Sequence, residues 1–135
     1  VPISQIQFHG NESAQFCRGF GRPYVKSIPV STDDEMQQVM REHSASRAFL
    51  FDTVVPGKHG GTGKTFDWTK IPTKNVGHRV LAGGLNAENV AEAIRIGTPD
   101  AVDVSSGVES SAGVKDHDLV RRFVAAAKQA GKEIT

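Results

Sequence analysis

The chain has a single cysteine, Cys17, so no disulfide can form within it. A reducing compartment is expected, with the cytoplasm as the location. No apolar run approaches the ~20 residues that a bilayer-spanning helix needs, and no signal peptide is expected. An excess of charge of one sign is nearly absent. Sixteen Lys and Arg stand against 15 Asp and Glu, a formal +1. That leaves no electrostatic reason to expect nucleic acid or an anionic membrane as partner, while a local basic cluster still suits a small anion such as phosphate. His43, His59, His78 and His117 lack metal-ligand spacing, so no metal is expected. There is no sequence repeat of solenoid type. What is present is ordinary for a folded protein: 135 residues, 38% hydrophobic and 23% charged. These values predict one domain over residues 1–135 with a real core, and they argue against disorder. The first residues are Val1-Pro2, with no Met, almost directly before a strand.

The pattern along the chain is β then α, five times. Ile3–Phe8 reads as a buried strand, and Asn11 as the cap of a short helix carrying Phe16, Cys17 and Phe20. Cys17 is expected to pack, since a free cysteine behaves as a small hydrophobe. Tyr24–Ile28 is the second strand. Thr32-Asp33-Asp34-Glu35 has capping-box spacing before a helix with Met36, Val39, Met40 and His43 on one stripe. Ala48–Phe51 is the third strand, and Trp68–Ile71 is long enough only for a short helix before Pro72. Arg79–Ala82 is the fourth strand, followed by a helix capped at Asn86 and ended by Gly97-Thr98-Pro99. Ala101–Ser105 is the fifth, followed by a polar loop. Asp116 caps a last helix with Leu119, Val120, Phe123, Val124 and Ala127 on one face and Gly131 at its C-terminal cap. Units of this length predict parallel βαβ connections. Either an open doubly wound sheet or a (β/α)8 barrel satisfies them.

Parallel strands all end on one rim, where ligands bind in such folds. The first strand delivers His9 to that rim and the third delivers Asp52. The fourth delivers Gly83 and Gly84, and the fifth delivers Asp103, Ser105, Ser106 and Gly107. Asp52, beside a loop containing Gly57, Gly60, Gly61 and Gly63, is a candidate proton donor or acceptor; the plainer reading makes it a turn cap. The two glycine-bearing turns offer free backbone N–H groups and close approach, as an anion requires. Asp103 is either a substrate contact or an acid bonded to neighbouring backbone, and His9 either lines the pocket or is a satisfied strand-end histidine. Gly63-Lys64-Thr65 tempts a nucleotide reading. The P-loop spacing needs glycine at position 58, which is Lys58, and Pro72 cuts short the helix that should follow.

Four blocks, in order, resemble the phosphoribosylanthranilate isomerase family of tryptophan biosynthesis. They are Gln7-Phe8-His9-Gly10; Phe51-Asp52-Thr53 with Gly60 through Trp68; Leu81 through Asn86; and Val102 through Glu109. Gly113-Val114-Lys115-Asp116 fits as well. The resemblance implies a (β/α)8 TIM barrel and an Amadori rearrangement of N-(5′-phosphoribosyl)anthranilate by general acid–base chemistry without a cofactor. It implies Asp52 as general acid, His9 and Asp103 as substrate-binding residues, and Gly83, Gly84, Ser105, Ser106 and Gly107 as the phosphate site. A small phosphorylated molecule is then the partner.

The family's general base is a cysteine on the first barrel strand, in a Lys-Ile-Cys-Gly type motif, and a substrate-binding arginine follows strand two. Neither motif occurs in these 135 residues, and Cys17 does not match. The expectation is therefore that the chain corresponds to strands four to eight, the C-terminal part of the barrel. Alone it is expected to be inactive and to associate with itself or need a complementing N-terminal piece. Two alternatives stand beside this reading. One is another phosphate-binding barrel enzyme, such as indole-glycerol-phosphate synthase. The other is a catalytically inactive phosphate-binding fragment.

Overall fold

The computed structural model describes residues 2–52, 67–73 and 76–134. Five strands form one sheet: β1 (Ile6–Phe8), β2 (Tyr24–Pro29), β3 (Ala48–Asp52), β4 (His78–Leu81) and β5 (Ala101–Val102). Their order in the sheet is their order in the chain, and every pairing is parallel. A doubly wound sheet reverses its strand order at a switch point. None occurs among these strands, so the barrel alternative is the one that fits.

Helices alternate with the strands: α1 (Ala14–Gly19), α2 (Asp33–Glu42), α3 (Val90–Gly97) and α4 (His117–Ile134). The start of α2 follows from its capping box. Thr32 Oγ1 accepts from Glu35 N at 3.4 Å, and Glu35 Oε2 accepts from Thr32 N at 3.2 Å, an arrangement worth about 1 kcal/mol. Ser13, not Asn11, caps α1, accepting from Phe16 N at 3.2 Å. Asn86 Oδ1 accepts from the N–H groups of Glu88 and Asn89, both at 3.0 Å, so the expected capping residue acts one turn before α3. Asp116 Oδ1 does the same for Asp118 and Leu119 at the start of α4. Gly131 lies inside α4 rather than at its cap. The apolar face of α4 carries the helix past it, and a single interior glycine costs only about 1 kcal/mol.

The two faces of the sheet have different companions. Ile28, Phe49, Phe51 and Leu81 pack on one face against Met36 and Met40 of α2 and Val90, Ala93 and Ile94 of α3. Burial of each large side chain there contributes roughly 1.5–3 kcal/mol. Val25, Ala48, Leu50 and Ala82 form a smaller cluster on the other face. Because strand side chains alternate, His9 and Asp52 share the parity of this second cluster and point away from the helices. Cys17 is fully buried with Phe8 and Tyr24, and burial pushes its thiol pKa up. It packs, as expected, and is a poor nucleophile.

The three central strands differ from their expected bounds by no more than one residue at an end, with β2 running through Pro29 rather than stopping before it, and the two outer strands differ by three. β1 starts only at Ile6, and β5 ends at Val102. Beyond β5 the polar stretch is ordered: a 3-10 turn over Ser106–Val108 leads into a hairpin of β6 (Glu109–Ser111) and β7 (Val114–Lys115). Gly113, with φ 79°, makes its turn, a conformation that favours glycine.

Candidate functional site at the carboxyl rim of the sheet

The register of β1, β2 and β3 brings His9 and Asp52 together across the end of β2. His9 Nε2 lies 3.6 Å from Asp52 Oδ2, an ion pair whenever the imidazole is protonated. The Asp52 side chain is 18% exposed and that of His9 47%. The acid is therefore sheltered yet reachable, as a proton-transfer group must be. The glycine-rich stretch Gly57 through Phe66, singled out in the sequence beside Asp52, lies outside the described residues.

Behind His9 is a buried ion pair. Lys26 lies in the middle of β2 on the helix-facing side, and its side chain is only 4% exposed. Its Nζ donates to Glu12 Oε2 at 2.9 Å and to the Gly10 carbonyl. Glu12 in turn accepts from Gly10 N at 3.0 Å and 3.1 Å. Burial raises the Glu12 pKa, but its hydrogen bonds from Lys26 and the backbone prevail and leave it lowered. Both polar groups of Gly10, the residue after His9, are thus held. The sequence signal for this was a lysine inside an otherwise apolar strand, which demands a partner.

The other half of the rim is made by backbone. Gly83 and Gly84, just past β4, have φ of 81° and 66°, left-handed values that a side chain disfavours. Gly107 explains how the two glycine turns meet. A Cβ there would lie 1.8 Å from the Leu85 carbonyl oxygen and 3.2 Å from Asn86 Cα. Nothing larger than glycine fits between them, so the Ser105–Gly107 turn is seated directly on the turn after β4. Asn89 Nδ2 donates to the Gly84 carbonyl at 3.0 Å, fixing that turn from the helix side. Asp103 is exposed just beyond β5, its N–H donating to the Leu81 carbonyl at 2.8 Å. Its place past the strand, not inside it, follows from the shortness of β5.

The hairpin after β5 closes on this half. Lys115 Nζ donates to the Ser105 carbonyl at 2.8 Å and to Glu109 Oε1 at 2.6 Å. Glu109 Oε2 accepts from Gly113 N at 3.1 Å. The Lys115 ammonium, followed by the Gly113 amide, holds the Glu109 carboxyl below its usual range. Reading the sequence as a polar loop missed this cluster. Its available signal was Gly113 between a glutamate and a lysine six residues apart.

Among the described residues no group of three His, Cys, Asp or Glu side chains is placed to hold a metal. No described helix is long and apolar enough to cross a membrane.

The order of these features is that of a known family. The family model described as N-(5'phosphoribosyl)anthranilate (PRA) isomerase matches residues 1–126. The chain belongs to this family. N-(5'-phosphoribosyl)anthranilate isomerase of Acidithiobacillus ferrooxidans is 50% identical over 125 residues, covering 92% of this chain and 60% of the relative. The crystal structure of phosphoribosyl anthranilate isomerase from Thermotoga maritima superposes with a TM-score of 0.80 at 40% identity, over 94% of this chain and 62% of that one. A structure of phosphoribosyl anthranilate isomerase in complex with reduced 1-(o-carboxyphenylamino)-1-deoxyribulose 5-phosphate superposes with a TM-score of 0.75 at 36% identity, over 94% of this chain and 60% of that one. The five parallel βα units are thus part of a (β/α)8 barrel. The chain spans about three fifths of the length of the relatives it matches.

Proposed function

We propose that this chain supplies strands four to eight of a phosphoribosylanthranilate isomerase barrel, with the substrate lying across the rim from Asp52 to the glycine turns. The observation that carries the reading is the shared rim. The His9–Asp52 pair and the two interlocked glycine turns stand at the carboxyl end of one parallel sheet. A phosphate fits the backbone amides around Gly83, Gly84, Ser105, Ser106 and Gly107. His9 and Asp103 flank the remainder of the substrate. The ligand in the solved complex of the relative is of this class, an aromatic amine joined to a sugar phosphate.

In this reading Asp52, as the acid, gives its proton to the ribose ring oxygen. The C1–O bond breaks toward that oxygen while the anilino nitrogen lone pair forms the iminium. A base then takes the C2 proton, and its bonding electrons neutralise the iminium to an enolamine, which tautomerises to the ketone. The substrate nitrogen holds the electrons, so the chemistry calls for no cofactor. Residues 1–135 include no cysteine in the position of the family's base. Activity therefore needs a segment that brings one, and homo-oligomerisation is the other route by which the open sheet edges at β1 and β5 become covered.

The test pairs residues 1–135 with the first three βα units of the Acidithiobacillus ferrooxidans relative. Solution mass and turnover are measured with and without that piece. The complemented barrel is expected to isomerise the substrate and the 135 residues alone are not. In the barrel, Asp52→Asn should keep the fold and lose about 10²–10⁴-fold in turnover. Turnover of the same order as the parent would remove Asp52 from the mechanism. A well-folded 135-residue monomer that turns over substrate would overturn the proposed division of the barrel.

A further inference from the structure

The hairpin beyond β5 has no place in the acid–base chemistry, yet its two charged side chains converge on the glycine turn. Lys115 reaches back ten residues to the Ser105 carbonyl at 2.8 Å, while Glu109 holds the same ammonium at 2.6 Å. Glu109 is itself fixed, because its second oxygen accepts from Gly113 N at the hairpin tip. The hairpin is tied down again where Asp116 N donates to the Val108 carbonyl at 2.9 Å. The Ser105–Val108 turn is therefore gripped on two sides. Gly107 is pressed on Leu85 and Asn86, and the Ser105 carbonyl is held by the hairpin.

We propose that Lys115, oriented by Glu109, is a positioning residue for phosphate. By holding the Ser105 carbonyl, which also accepts from Val108 N at 3.4 Å, it fixes the peptide plane between Ser105 and Ser106, and with it the direction of the Ser106 amide toward the anion. An amide contributes to anion binding only when its N–H is aimed at the ligand. The same bond keeps the Ser105 oxygen, which would repel a phosphate, turned toward an ammonium. Glu109 neutralises that ammonium, so Lys115 serves by geometry more than by charge. Its ion pair is also too exposed to be chiefly a stability device: the Lys115 side chain is 46% exposed, and pairs of that kind stabilise a fold by little. The proposal rests on the phosphate reading of these turns.

The test uses the complemented barrel and inorganic phosphate as the probe, followed at the amide signals of Gly84 and Gly107. The parent is expected to bind. Lys115→Met should bind about tenfold more weakly, one hydrogen bond's worth, with an unchanged melting temperature, and Lys115→Arg should recover most of the affinity. The loss should persist at high ionic strength, where the Debye length falls to about 3 Å and a purely long-range charge effect is screened away. Should Lys115→Met fail to fold, Glu109→Gln, which releases the ammonium but leaves it present, carries the same expectation. If either folded variant binds phosphate as tightly as the parent, or if the loss disappears in salt, the positioning role is overturned. If the parent shifts neither amide, the phosphate reading itself falls and this inference with it; isomerase turnover, read separately, then reports on Asp52 alone.

Discussion

At His9 and Asp52 the rim is made by side chains; at Gly83, Gly84 and Gly107 it is made by backbone. The first half depends on strand register: β1 ends opposite Lys26 while β2 and β3 run on to Pro29 and Asp52, and His9, just past β1, meets Asp52 at 3.6 Å. Its support is a buried ion pair on the opposite side of the sheet, Lys26 with Glu12. The second half depends on the absence of side chains: two left-handed glycines and a third against a carbonyl. Its support is an exposed pair, Lys115 with Glu109. The difference assigns separate vulnerabilities. Damage to the first half should come from unbalanced buried charge. Damage to the second should come from added volume.

The largest effect is expected at Gly107. Alanine there puts a methyl group 1.8 Å from the Leu85 oxygen, so one backbone must move. Gly107→Ala should cost about 3 kcal/mol or more and abolish phosphate binding in the complemented barrel. Gly84→Ala puts a side chain on a backbone with φ of 66° and should cost about 1–2 kcal/mol. Denaturant unfolding of both variants checks the order. If Gly84→Ala proves the more damaging, conformational freedom rather than the interlock of the turns holds this half together.

Much of the first half was legible in the sequence. Period-2 and helical patterns placed five strands and four helices, and a carboxylate at a strand tip marks the rim wherever the sheet is parallel. The capping box at Thr32 and the cap at Asp116 follow from local chemistry alone. The interlock of Gly107 with Leu85 was not legible, because it joins residues far apart in the chain and depends on where β5 ends. That strand was read as Ala101–Ser105 and stops at Val102. Alternation of apolar and polar residues continues to Ser105, while backbone pairing does not, since the Asp103 N–H makes the last bond to β4. Both lysine–glutamate pairs were missed because their spacings are weak signals by themselves; only the burial of Lys26 demands that a partner exist.

A smaller but sharper test concerns that burial. Lys26 is 4% exposed and Glu12 26%, so the two ends of the pair are not equivalent. Glu12→Ala leaves an ammonium in the interior with the Gly10 carbonyl as its remaining hydrogen-bond partner among the described residues, and should destabilise by about 3 kcal/mol. Lys26→Met leaves the carboxylate nearer to water, fills the space with a flexible apolar chain and should cost about 1 kcal/mol. Unfolding free energies of the two variants check the asymmetry. Equal costs would mean that the ion pair is judged by its contacts alone and not by which partner is buried.

The smallest effect is set by pH and again separates the halves. His43 is buried beside Tyr24, whose hydroxyl lies 3.3 Å from Nδ1. Burial first, and then the Lys26 charge, lower its pKa from 6.5, against smaller opposing contributions from Glu42 and Glu12. The folded protein therefore binds fewer protons at His43 than the unfolded chain as pH falls below about 6.5, so stability rises with pH across that window and is lost on acidification. Glu12 has its own, lower window. Its folded pKa lies below 4.5, so its contribution is present above that value and is lost as pH falls through the folded pKa. Between the two, acid should loosen the β1–β2 side while leaving the glycine half intact. Amide exchange measured from pH 7 down to pH 5 should show protection falling first at Tyr24 through Lys26, with Leu85 and Val108 unchanged. His43→Gln, which keeps an acceptor for Tyr24 but cannot titrate, should flatten this slope. An identical slope in the variant would assign the acid sensitivity to another group, and a parallel loss at Val108 would erase the distinction between the two halves.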